Sequence, residues 1–140
     1  MARFNTEGIE EIAEQFMLGG AKASKAVPLM IDAGAEVLIK AQTQEASTLN
    51  ISGRSKGALM QSIKATSKKS TATGMYCDIY PHGVDKTHTR KGVRNADKAF
   101  VLEFGFRGYD ANPWMSRAFE KSESAILTAQ DKVWESVVTW

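Results

Sequence analysis

Three groups of residues in this chain have types and spacing that could do chemistry. Glu103 is the one carboxylate in the apolar run Ala99-Phe100-Val101-Leu102-Glu103-Phe104. Burial disfavours a charged carboxylate and raises its pKa, which is how a glutamate becomes a general base. A base works on a substrate together with other groups, and no second catalytic group is identifiable in the sequence. Two other readings of Glu103 are therefore favoured: an ion pair with a basic residue of the same or a neighbouring subunit, or a strand-end position open to water.

Cys77, His82, Asp85 and His88 are metal-ligating types close together in sequence. On the predicted pattern Cys77 points inward from a strand while both histidines lie in a hydrophilic loop. Metal ligands must converge on one point, so no metal and no cofactor are expected. The third group is the loop Pro81–Lys98, where His82, Lys86, His88, Arg90, Lys91, Arg94 and Lys98 outnumber Asp85 and Asp97. These cations could touch phosphates, but no aromatics are interleaved for base stacking. A loop this long in a small domain is functional or disordered, and an exposed assembly loop is the other reading. The chain has no nucleophile elbow, phosphate loop or zinc-protease helix, so no enzyme is expected.

The chain has 140 residues, 43% hydrophobic and 24% charged, with a net charge of +2 and one cysteine. That predicts one domain over 1–140, able to bury roughly 68% of its unfolded surface. The small charge does not by itself imply nucleic acid or membrane, and a single cysteine excludes an internal disulfide. There is no run of 18 apolar residues, so no membrane-spanning helix is expected. The acidic start MARFNTEGIEEIAEQF is unlike a signal peptide.

The elements that would position these groups follow from periodicity. Asn5 or Thr6 can cap a first helix carrying Ile9, Ile12, Ala13 and Phe16 and ending at Gly19-Gly20. A second helix is predicted from about Lys25 to Thr48, with Ser24 as cap, Pro28 in its first turn and Gly34 allowing close approach. Its stripe of Val27, Met30, Ile31, Val37, Leu38 and Ala41 reads as core or subunit interface. Asn50–Lys56 is a polar break. Gly57–Ile63 reads as a helical turn entering a strand, and 63–68 alternates, as does 75–80, making an antiparallel hairpin. Ala99–Phe104 is apolar on both faces and predicts a central strand. From Pro113 a long helix should anchor the core through Met115, Ala118, Phe119, Ile126, Ala129, Val133 and Val137, widened by Trp134 and Trp140. The predicted class is α+β: two N-terminal helices, a small antiparallel sheet of three to four strands, and a C-terminal helix packed on it.

Three short motifs in order add to this. Gly57-Ala58-Leu59-Met60-Gln61-Ser62-Ile63 resembles the Gly-x-Leu-x-x-Ser-Ile signature of a family of tailed-bacteriophage proteins. Glu103-Phe104-Gly105 resembles its Glu-aromatic-Gly, and Asn112-Pro113-Trp114-Met115-x-x-Ala118 its Pro-aromatic-apolar-x-x-Ala. The family comprises neck, head–tail joining and tail-completion proteins of long-tailed phages and prophages. Each motif also has a physical sense. Gly57 permits an unusual backbone, Leu59 and Ile63 enter the core, and Ser62 bonds nearby backbone. Gly105 lets the central strand turn, Pro113 presets the last helix, and Trp114 packs on the sheet.

The resemblance implies a non-enzymatic virion protein of the head–tail junction, made in the host cytoplasm. It would form a ring, expected as a hexamer, between head-completion or connector proteins and tail proteins, with no membrane partner. Phage DNA would pass through the lumen. Lys86, Arg90, Lys91, Arg94, Lys98 and Glu103 are the expected assembly or lumenal contacts. A nucleic-acid-binding module using the 81–98 loop is the alternative.

Overall fold

Polar and apolar residues sort the chain into helices and short antiparallel strand pairs, an α+β arrangement. The computed structural model describes residues 7–72, 74–87 and 90–138, with side chains described from Met17 onward except Leu18. Helix α1 runs Glu7–Ser47 without a break, where the sequence predicts two helices. The expected caps Asn5 and Thr6 lie outside the described residues. Each of Gly19 and Gly20 costs a helix about 1 kcal/mol, and Pro28 about 3. Helix α4 (Trp114–Val137) supplies the offset by packing antiparallel along α1. At one end Glu45 meets Arg117 and Lys121, and at the other Gln130 donates to the carbonyl of Met30 at 3.4 Å. Small residues bring the two helices together: Ala26 and Ala35 are buried. A Cβ on Gly34 would lie 2.8 Å from Gln130 Nε2 and 3.2 Å from Ile126 Cγ2, so this glycine does allow close approach.

Helix α2 (Gly53–Ser62) begins inside the segment read as a polar break, because Ser52 caps it by accepting from Ser55 N at 3.3 Å. Gly57 sits within this helix, and nothing crowds its Cβ position. The expectation that it holds an unusual backbone is therefore wrong. Leu59 and Ile63 do enter the core, and Ser62 Oγ donates to Leu59 O at 2.7 Å.

The predicted hairpin exists as two ladders. Strand β1 (Ile63–Ala65) pairs with β4 (Ile79–Pro81), and β2 (Lys69–Thr71) with β3 (Gly74–Tyr76). Ile63 faces Pro81, but Lys69 faces Tyr76, so the register slips by one residue between the ladders. Thr66 N still reaches Asp78 O at 2.8 Å. That leaves Ser67 and Lys68 opposite Cys77, a β-bulge.

The segment 81–98 is not one long loop. Strands β5 (Val84–Asp85) and β6 (Val93–Arg94) pair, and helix α3 (Asn95–Phe104) follows directly. The central strand expected at Ala99–Phe104 is thus a helix. A short apolar run does not distinguish the two by itself; the polar residues before it belong to the same element and complete a helical face. With no central sheet to cover, α4 packs on α1 instead. The core is Ala46, Leu49, Leu59, Ile63, Ala99 and Trp114. Trp114, expected on the sheet, is fully buried where α1, α2, α3 and α4 meet.

A candidate assembly surface on helix α3

Helix α3 is amphipathic in the inverted sense. Its inward face carries Asn95, Lys98, Ala99 and Glu103, and each polar member has a task inside the chain. Asn95 donates through Nδ2 to His82 O at 2.8 Å and through its backbone N–H to Gly83 O at 2.9 Å. Lys98 Nζ donates to Asp85 Oδ2 at 2.6 Å and to Ser55 Oγ at 2.9 Å. Glu103 accepts from the backbone N–H of Met115 at 2.8 Å, from that of Ser116 at 3.2 Å, and from the Ser116 hydroxyl. Pro113 precedes α4 with no side-chain cap of its own. The Glu103 carboxylate therefore caps α4 from another element, an anion at the positive end of the helix dipole. Neither a strand-end position nor an exposed contact describes it: only 5% of the residue is accessible.

Ala99 and Leu102 pack on the core, but the other large apolar residues face out. Phe100 is 52% exposed, Val101 43% and Phe104 72%, at the i, i+4 spacing of one helix face. The Phe100 and Phe104 rings stack at 6.0 Å between centroids. Gly105 ends the helix at φ +80°, and its N–H donates to Val101 O at 2.9 Å. A Cβ there would lie 2.9 Å from Tyr109 O, so the expected sharp turn at Gly105 is real although it leaves a helix. The turn from Phe106 to Tyr109 closes on itself and exposes both aromatics, at 63% and 75%. Leaving a large apolar side chain in water forgoes about 1.5–3 kcal/mol of burial each. Exposed apolar patches are found at protein and membrane interaction sites and in ligand grooves. Behind it lies an apolar pocket of about 270 Å³ lined by Ile51, Val93, Val101 and Leu102, with Ser55 and Lys98 at its wall.

The basic residues divide. Lys98 is committed to Asp85 across a largely buried pair. The Lys98 ammonium, with the Thr87 hydroxyl and N–H, holds the Asp85 carboxyl well below the usual carboxylate range. The β5–β6 segment is thereby latched to α2 and α3. Arg94 pairs with Asp97 at 3.2 Å on the exposed surface, a pair worth little. Lys86, Arg90 and Lys91 are exposed beside it. His88 lies outside the described residues. Among the described residues no three His, Cys, Asp or Glu side chains converge. His82 stacks on Tyr80 at 4.0 Å, and Cys77 faces α1, its thiol pushed up by burial and then by the Asp78 and Asp32 charges. No helix among the described residues is long and apolar enough to cross a membrane.

Sequence reasoning missed the outward Phe100 and Phe104 because it assigned them to a buried strand. The available signal was Asn95, Lys98 or Ala99, and Glu103 recurring at helical spacing. Comparison with protein-family models, curated proteins and solved structures finds no match to the chain.

Proposed function

We propose that the chain is a non-enzymatic structural subunit that assembles into a ring at the head–tail junction of a tailed phage. The observation that carries the assembly part is the outward aromatic face of α3 with the Phe106–Tyr109 turn. Exposed apolar faces of this kind occur where a partner covers them. The three ordered motifs support the phage assignment: Leu59, Ile63 and Trp114 build the core, Glu103 caps α4, and Gly105 makes the turn that displays the aromatics. In the proposed virion, connector and tail proteins flank the ring. Negative-stain images of the concentrated protein test the reading. Rings with a central channel support it, and a field of single particles without rings at every concentration refutes it.

One observation favours a second reading, a nucleic-acid contact: Lys86, Arg90 and Lys91 are each exposed on the β5–β6 segment. Three phosphate contacts would give a binding slope of about −2.7 against the logarithm of salt concentration on duplex DNA. A slope near zero with the isolated chain removes this reading.

A further inference from the structure

We propose, resting on the reading of the chain as a self-assembling subunit, that copies join head to tail through two different faces. The α3 aromatic face and β5–β6 cations of one copy sit against the outer face of α4 on the next. Two independent features of α4 point to this partner. The first is charge. Glu120, Glu123, Leu127, Asp131 and Glu135 are all exposed, spaced by three or four residues and so aligned on one side of the helix. No cation interrupts that line. Lys121 and Lys132 flank it on one side; Lys121 is drawn to Glu45 at 2.6 Å, where it and Arg117 hold that carboxyl below its ordinary range. On the other face, Lys86, Arg90 and Lys91 are exposed on the β5–β6 segment, whose strand β6 packs beside α3, and Arg107 is exposed within the Phe106–Tyr109 turn.

The second feature is a receptacle. Beside the acidic line, a groove of about 190 Å³ runs between α1, α4 and the β3–β4 edge, lined by Ile31, Leu38, Met75, Ile79, Phe119 and Ile126. Phe119 is 50% exposed in it, and Leu127, on the acidic line itself, is 56% exposed. The groove offers an apolar seat for one aromatic ring, and Phe104, Phe106 and Tyr109 are the projecting rings available. Acid with groove on one surface therefore matches base with ring on the other.

The alternative for two identical chains is a symmetric contact of the aromatic face with itself. That would bring two copies of a face flanked by Arg107 and the β5–β6 cations together, with no acidic line to meet them, a like-charge juxtaposition that interfaces avoid. The two faces share no residue, so their contact is heterologous. Such a contact leaves one unused face of each kind at the ends and continues until rotation closes it into a ring.

The test uses two variants that each disable one face at exposed positions: Phe104→Asp, and the double Glu120→Lys/Glu123→Lys. Circular dichroism and melting of each serve as the folding control, with Leu127→Arg as a second variant of the α4 face. At a concentration where the unaltered chain is fully assembled, each variant should sediment as a single chain. An equimolar mixture should form a pair and nothing larger, because one variant keeps an intact α4 face and the other an intact α3 face. Two outcomes overturn the head-to-tail assignment while the assembly reading stands: rings from the acidic-face variants, or a mixture that stays single. An unaltered chain that never assembles overturns both.

Discussion

Replacing Glu103 by alanine should destabilise the domain by about 3 kcal/mol, and the reason is local. The carboxylate accepts from two backbone N–H groups and one hydroxyl at the start of α4, and Pro113 before the helix makes no side-chain cap bond of its own. Loss of a cap costs about 0.5–2 kcal/mol, and loss of an anion from a partly buried helix N-terminus up to ~2 kcal/mol more. Trp114, the first residue of α4, lies in the core, so the helix end cannot fray without disturbing it. For a domain of this length, 3 kcal/mol corresponds to a melting temperature lower by roughly 10 °C. Glu103→Gln keeps one acceptor oxygen but turns an NH₂ toward donors, and should cost about half as much. The assay is guanidinium unfolding in the Phe104→Asp background, so that assembly adds nothing to stability. The midpoint should fall with the denaturant slope unchanged. A loss below about 0.5 kcal/mol would refute the capping role, since that is the floor for a real cap.

Lys98→Met should cost about 3–5 kcal/mol because it strands the buried Asp85 carboxylate, and Lys98→Met/Asp85→Leu should recover most of that in the same unfolding assay. Lys98 and Thr87 depress the Asp85 carboxyl in the folded chain. Its contribution to stability is therefore complete above the ordinary aspartate value of about 3.9 and is lost as pH falls below it. An acid-unfolding curve should show Asp85→Asn flattening that fall. Gly34→Ala should be nearly neutral, because the Gln130 amide it meets can swing aside while alanine favours the helix by about 1 kcal/mol. Gly34→Leu should cost about 1–3 kcal/mol by forcing α1 and α4 apart, read as a lower melting temperature.

The hairpin, the entry of Leu59 and Ile63 into the core, and the long last helix were legible because period-2 and period-3.6 patterns are strong there. Helix α1 was not, because Gly19-Gly20 and Pro28 are local stop signals that α1's antiparallel packing partner outweighs only in three dimensions. Helix α3 was misread for a related reason. Phe100, Val101 and Phe104 face outward, so for them the usual inference from apolar to buried inverts. Lys98 shows the same limit from the other side: it reads as one member of a free basic loop, yet Asp85 and Ser55 hold it inside. The exposed cations Lys86, Arg90 and Lys91 were found from sequence alone, since surface charge needs no partner to be read.

The central claim is that the outward face of α3 is a protein contact between copies. Sedimentation velocity of the unaltered chain and of Phe100→Ser/Phe104→Ser, over a wide concentration range, tests it most directly. The unaltered chain should sediment as a closed oligomer, and the variant as a single folded chain whose own stability is unchanged. Oligomers of equal size from both, or single chains from both, would contradict it.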